Sequence, residues 1–150
     1  MAKVLVTGGL GFIGSNLVKE LEGRGHDVWL CDLTHSDNPK SIRCDVSRYR
    51  QVERLFENHD FEYVYHAAAE YGRWNGEDYY ENLWLTNAVG TKNILRVQER
   101  KKFRMIFFSS AEVYGDYEGV MSEDVPEKIR SIKNVWCRPR KSRNIIGGIF

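Results

Sequence analysis

Two hydrophobic rhythms alternate along residues 3 to about 110. Short apolar runs recur at Val4-Leu5-Val6, Val28-Trp29-Leu30-Cys31, Ile42-Arg43-Cys44-Asp45-Val46, Tyr63-Val64-Tyr65-His66 and Met105-Ile106-Phe107-Phe108. Runs of this length read as buried strands. Between them the apolar positions are spaced by three and four, as in a helix that buries one face. Leu17, Val18 and Leu21 show this spacing, then Val52, Leu55 and Phe56. A longer stripe, Leu83, Asn87, Gly90, Ile94 and Val97, predicts one helix from about Tyr79 to Arg100. Strands that alternate with helices imply right-handed crossovers and a parallel sheet. The expected fold is therefore α/β, a doubly wound parallel sheet of about five strands.

Polar or small residues sit where those strands should end: Thr7, Asp32, Asp45, His66 and Ser109-Ser110. In such a sheet the ligand lies beyond the carboxyl ends of the strands, where the strand order switches. The first of these ends carries the densest signal, Thr7-Gly8-Gly9-Leu10-Gly11-Phe12-Ile13-Gly14. A strand, a tight glycine turn and a helix make a Rossmann-type dinucleotide site. Glycines let the turn form and let a pyrophosphate approach the main chain, while the helix start offers free N–H groups and a positive dipole end. Gly9, Gly11 and Gly14 fit one glycine spacing, and Gly8, Gly11 and Gly14 fit another.

The second strand ends on Asp32, 18 residues after Gly14. An acid at about this distance is placed to accept the hydrogen bonds of a ribose diol. Its charge would repel a 2′-phosphate, so NAD is expected over NADP, with His35 and Lys40 as nearby cations that would offset the repulsion. Between residues 70 and 84, Glu70, Tyr71, Arg73, Trp74, Tyr79, Tyr80 and Trp84 mix rings with charges, which suits either sugar contact or helix packing.

The net charge of +1 conceals an asymmetry. Of 22 Lys and Arg, seven fall in residues 128–150, which contain no acid, leaving 15 against 21 acidic residues before them. An acidic body gives no reason to expect a nucleic-acid partner. Cys31, Cys44 and Cys137 form no C-x-x-C pair and are expected as free thiols in a reducing compartment. No secretory leader or long apolar span is apparent, so a cytoplasmic protein without a membrane partner is expected. The four His residues lack metal-ligand spacing, so no metal is expected.

These segments together resemble the extended short-chain dehydrogenase/reductases, in particular the NAD-dependent nucleotide-sugar epimerases and dehydratases, over residues 3 to about 127. Thr7 to Gly14 is similar to the family's T-G-x-x-G-x-x-G loop, and Asp32 to its ribose-binding acid. Asp45-Val46 resembles the pair that holds adenine, and His66-Ala67-Ala68-Ala69 the H-x-A-A segment beside the cofactor. Asn87-Ala88-Val89-Gly90-Thr91 resembles the N-x-x-G-T helix motif. Ser109-Ser110-Ala111-Glu112-Val113-Tyr114-Gly115 resembles the segment that bears the active-site hydroxyl. The resemblance implies NAD contacts at Gly8, Gly11, Phe12, Ile13, Gly14, Asp32, Asp45, Val46, His66, Ala67 and Ala68. It implies Ser110 as the hydroxyl that meets the reacting sugar oxygen, and Glu112 as a second proton-handling group. The implied chemistry is hydride transfer at a sugar carbon of a nucleotide sugar, and the implied assembly is a homodimer built on the helix from Tyr79. Ala111 stands where dehydratases carry Asp, which favours epimerisation or oxidation over dehydration.

The family's Tyr-x-x-x-Lys pair does not occur in these 150 residues, and no Tyr follows Tyr117. Losing a positioned acid–base group costs on the order of 10²–10⁴ in rate. The expectation is an NAD-binding Rossmann-type domain over residues 1–127 without the substrate domain, followed by a basic tail, 128–150, read out of frame or disordered. The alternatives are a regulatory module that holds NAD without chemistry, and a reductase acting on a non-sugar substrate.

Overall fold

The computed structural model of the chain describes residues 1–70 and 79–109, the side chain of Tyr79 excepted. Five parallel strands form one sheet: β1 (Lys3–Thr7), β2 (Asp27–Asp32), β3 (Ser41–Arg43), β4 (Tyr63–His66) and β5 (Arg104–Phe107). Their spatial order is β3-β2-β1-β4-β5. The order reverses at β1, where β2 lies on one side and β4 on the other, opening a crevice at their carboxyl ends. In register, Thr7 stands between Cys31 and His66.

Alternation along β1 divides the core in two. Val4 and Val6 face Val28, Leu30 and the buried stripe Val18 and Leu21 of α1 (Phe12–Gly23). Leu5 faces the opposite side with Cys31, Val64, Phe56, Ile94 and Val97, covered by α2 (Tyr49–Glu57) and α4 (Thr91–Lys101). Phe56 stacks on Phe103 at 5.0 Å and meets the edge of Phe61 at 5.5 Å. Truncating a buried ring of this kind to Ala costs about 3–5 kcal/mol. No described helix is long and apolar enough to cross a membrane.

Three boundaries differ from the sequence expectation. The long helix is interrupted: α3 (Tyr79–Leu83) passes into a π-helical segment, Trp84–Gly90, before α4. The expected stripe survives, with Leu83, Gly90, Ile94 and Val97 buried. The third strand stops at Arg43 and does not reach Val46, because Asp45 turns the chain. Its carboxylate accepts from Ser47 N–H at 2.9 Å, its carbonyl accepts from Arg48 N–H at 3.0 Å, and its own N–H donates to the Gln51 side chain at 2.8 Å. The fifth strand starts one residue earlier, at Arg104. Cys31 and Cys44 are buried free thiols. The hydrogen bond with the neighbouring Cys44 thiol, and then burial, push the Cys31 thiol upward. Cys137 and the basic tail lie outside the described residues.

Candidate functional site

The bend between β1 and α1 is built from close backbone contacts. Gly8 adopts φ +67°, in the left-handed region, and a Cβ there would lie 2.8 Å from Ala68 backbone atoms. A Cβ on Gly14 would lie 2.0 Å from the Gly8 carbonyl oxygen. Only glycine fits either place. Gly11 caps α1 without a side-chain acceptor, so the N–H groups of Phe12, Ile13 and Gly14 open the helix without intrahelical partners. Phe12 and Ile13 are exposed. The bend thus offers a bare main chain and a helix dipole to an anion.

Asp32 stands at the tip of β2 beside that bend. Its Oδ2 accepts from Leu10 N–H at 3.0 Å and its Oδ1 from Thr34 N–H at 3.1 Å. A carboxylate oxygen has two lone pairs, so both retain capacity for a diol. The cations anticipated near it are engaged elsewhere. Lys40 pairs with Asp27 at 2.7 Å, holding the Asp27 carboxyl below its usual range, and His35 faces Asp37 at 3.5 Å. Opposite Asp32 in register is Arg43, whose Nε donates to the Leu33 carbonyl at 3.0 Å. Asp45 is half-buried and Val46 buried, in the loop after β3, and the preceding Cys44 N–H donates to the Asp32 carbonyl at 2.8 Å.

On the other side of the bend, Ala67 N–H donates to the Thr7 carbonyl at 3.2 Å, and Ala68 N–H donates to Thr7 Oγ1 at 3.2 Å. His66 is buried, 3% exposed. Its Nδ1 lies 2.7 Å from Thr7 Oγ1 and its Nε2 lies 3.1 Å from Thr91 Oγ1. Burial lowers its pKa to about 4, so the ring is neutral. Ala68 N–H can only donate, so Thr7 Oγ1 accepts it, and the neutral ring bridges the hydroxyls of Thr7 and Thr91 through its two nitrogens.

The helix that follows supplies contacts that the sequence reading left unassigned. Asn87, in the π-helical segment, accepts from Glu70 N–H at 2.8 Å and donates to the Glu70 carbonyl at 3.0 Å. Buried Asn93 donates to the carbonyls of Val46 and Ser47, both at 2.9 Å. A Cβ on Gly90 would stand 2.7 Å from Val46 Cγ2, so helix and loop touch. The readable signal was three polar residues on or beside an apolar stripe. Ser110 and Glu112 lie outside the described residues, as does the aromatic cluster from Tyr71 to the side chain of Tyr79. Tyr80 and Trp84 are exposed, at 67% and 58%.

The order of these parts is shared with known proteins. Residues 4–133 match the model of the NAD dependent epimerase/dehydratase family. The chain belongs to that family. A curated member, the UDP-N-acetyl-alpha-D-glucosaminuronate decarboxylase of Bacillus cytotoxicus, is 35% identical over 132 residues, 81% of this chain and 40% of the relative. The ADP-L-glycero-D-manno-heptose-6-epimerase of Brachyspira hyodysenteriae is 31% identical over 140 residues, 81% of this chain and 41% of the relative. Among solved structures, UDP-glucose 4-epimerase of Thermus thermophilus in complex with NAD superposes with a TM-score of 0.72 at 29% identity, over 84% of this chain and 44% of that one. Pal from Bacillus thuringiensis superposes with a TM-score of 0.73 at 32% identity, over 84% and 45%. The chain therefore spans less than half the length of these relatives. The family and the Rossmann-type sheet agree with the sequence expectation.

Proposed function

We propose that this chain holds NAD along the crevice, as the dinucleotide half of a nucleotide-sugar epimerase or decarboxylase. The observation that carries this reading is the pairing of the Gly8–Gly14 bend with the Asp32 carboxylate. The bend suits a diphosphate, and the acid beside it suits an unphosphorylated ribose. NAD would supply a hydride acceptor at the sugar carbon. The chain's own residues bind and orient it: amides of the first turn of α1 at the diphosphate, Asp32 at the adenosine ribose, Asp45-Val46 at adenine, and Ala67-Ala68 beyond the bend. Ser110 and Glu112 are proposed for the sugar side, on the family's motif.

These 150 residues contain no Tyr-x-x-x-Lys pair, so binding without turnover is the expected behaviour. Calorimetric titration with NAD should give saturable heat. Mixing the loaded chain with UDP- or dTDP-sugars should produce no reduced coenzyme. A folded sample that gives no heat with either pyridine nucleotide at millimolar concentration would overturn the reading. Turnover of a sugar would instead reject the expectation of binding without turnover.

A further inference from the structure

We propose that Asn93 and Thr91, two residues apart on α4 and outside the crevice, are positioning residues for different halves of the bound dinucleotide. The inference rests on the coenzyme reading above and assigns each half its own support from one helix.

Asn93 is buried and spends both amide hydrogens on consecutive carbonyls, Val46 and Ser47, at 2.9 Å each. Those carbonyls belong to the loop that follows β3, on the side of the sheet where Asp32 marks the adenosine end. The Asp45 turn and the buried Val46 side chain fix the loop locally, and the Asn93 amide ties its carbonyls to α4. Gly90, in contact with Val46, keeps the helix close enough for the amide to reach.

Thr91 acts on the opposite side. Its hydroxyl meets His66 Nε2 at 3.1 Å, His66 Nδ1 meets Thr7 Oγ1 at 2.7 Å, and Thr7 Oγ1 accepts from Ala68 N–H at 3.2 Å. This relay ends on the β4 tip, where the second nucleotide would lie. Every member is buried or half-buried, so a broken link leaves a polar group without water to replace its partner. The two supports share no hydrogen-bonding group.

The consequence is a separable defect. AMP probes the adenosine half and NAD the whole length. Asn93→Leu should weaken AMP and NAD by a similar factor, about tenfold for the loss of a buried hydrogen bond. Thr91→Val should leave AMP within about twofold while weakening NAD about tenfold, and Thr91→Ser, which keeps the hydroxyl, should restore NAD binding. Asn93→Ser serves if the leucine variant does not fold, with the same direction expected. If both variants weaken AMP and NAD in one common ratio, the residues act on global stability alone and the proposal is overturned. Unchanged affinities in both variants overturn it equally. A wild-type chain that binds neither ligand rejects the coenzyme reading itself, whereas wild-type binding without the split rejects only this inference.

Discussion

The main-chain N–H of Leu10 donates to the carboxylate of Asp32 at 3.0 Å, joining the glycine bend to the tip of the neighbouring strand. One side chain therefore fixes the bend and also sets the charge that the adenosine end would meet. Hydrogen bonds to a charged group contribute about 1.5–3 kcal/mol each.

Asp32→Ala is expected to lower NAD affinity on the order of tenfold to a hundredfold. The ratio of NADP to NAD affinity should rise in the same variant, because a 2′-phosphate no longer faces a carboxylate. Parallel titrations with both coenzymes measure this. A ratio that does not move would remove Asp32 from the ribose site.

A second expectation concerns pH. Burial holds His66 at about 4 against an ordinary 6.5. The unfolded chain therefore takes up this proton at a higher pH than the folded one. Stability from this group is complete above about 6.5 and is lost as pH falls toward 4, on the order of 3 kcal/mol in all. His59, lowered by burial and by Lys3, adds a smaller loss of the same sign. Urea midpoints between pH 7.5 and 4.5 should fall steadily in the wild type and less steeply in His66→Gln, measured against the variant's own value at pH 7.5.

The two buried thiols give a third. Cys31 is fully enclosed and its thiol is pushed upward by its neighbour Cys44 and by burial. In a Cys137→Ser background, a thiol reagent should label neither cysteine while the domain is folded, and both on unfolding in urea. Saturating NAD should slow the labelling further, by mass action on the native state. Fast labelling of the native domain would contradict this packing.

The end of α4 offers a stabilising change. Lys102 adopts φ +59°, ψ +25° and its N–H caps the Gln98 carbonyl at 2.8 Å. It is exposed and a side chain is strained in that conformation. Lys102→Gly should raise stability by about 0.5–1 kcal/mol, visible as a higher thermal midpoint. A drop would show that the lysine side chain contributes more than its backbone costs.

Much of this architecture was legible because it depends on periodicity and on glycine. The alternation at Val4-Leu5-Val6 and the three-and-four spacing at Val18 and Leu21 are direct consequences of which face each element buries. Gly8 and Gly14 were legible because no side chain fits there. The π-helical segment was not, since the stripe Leu83, Gly90, Ile94 is as compatible with a locally widened turn as with a regular one. The enclosure of the His66 ring between two threonines was not legible either; an imidazole at a strand end gives no sign of which neighbours enclose it. Asn93 escaped for a related reason. An asparagine in a helix pattern looks like a tolerated polar residue until the carbonyls of a loop 46 and 47 positions away are known to face it.

The central place of β1 has a consequence for how the chain is made. Its β2 partner emerges soon after it, but its β4 partner arrives 59 positions later, at His66 for Thr7. At about 5–20 residues per second, the ribosome leaves that flank open for roughly 3–12 s. Throughout the wait the strand of Val4, Leu5 and Val6 keeps one edge of N–H and C=O groups unpaired. The strand that leads into the glycine bend is thus also one in need of shelter at birth.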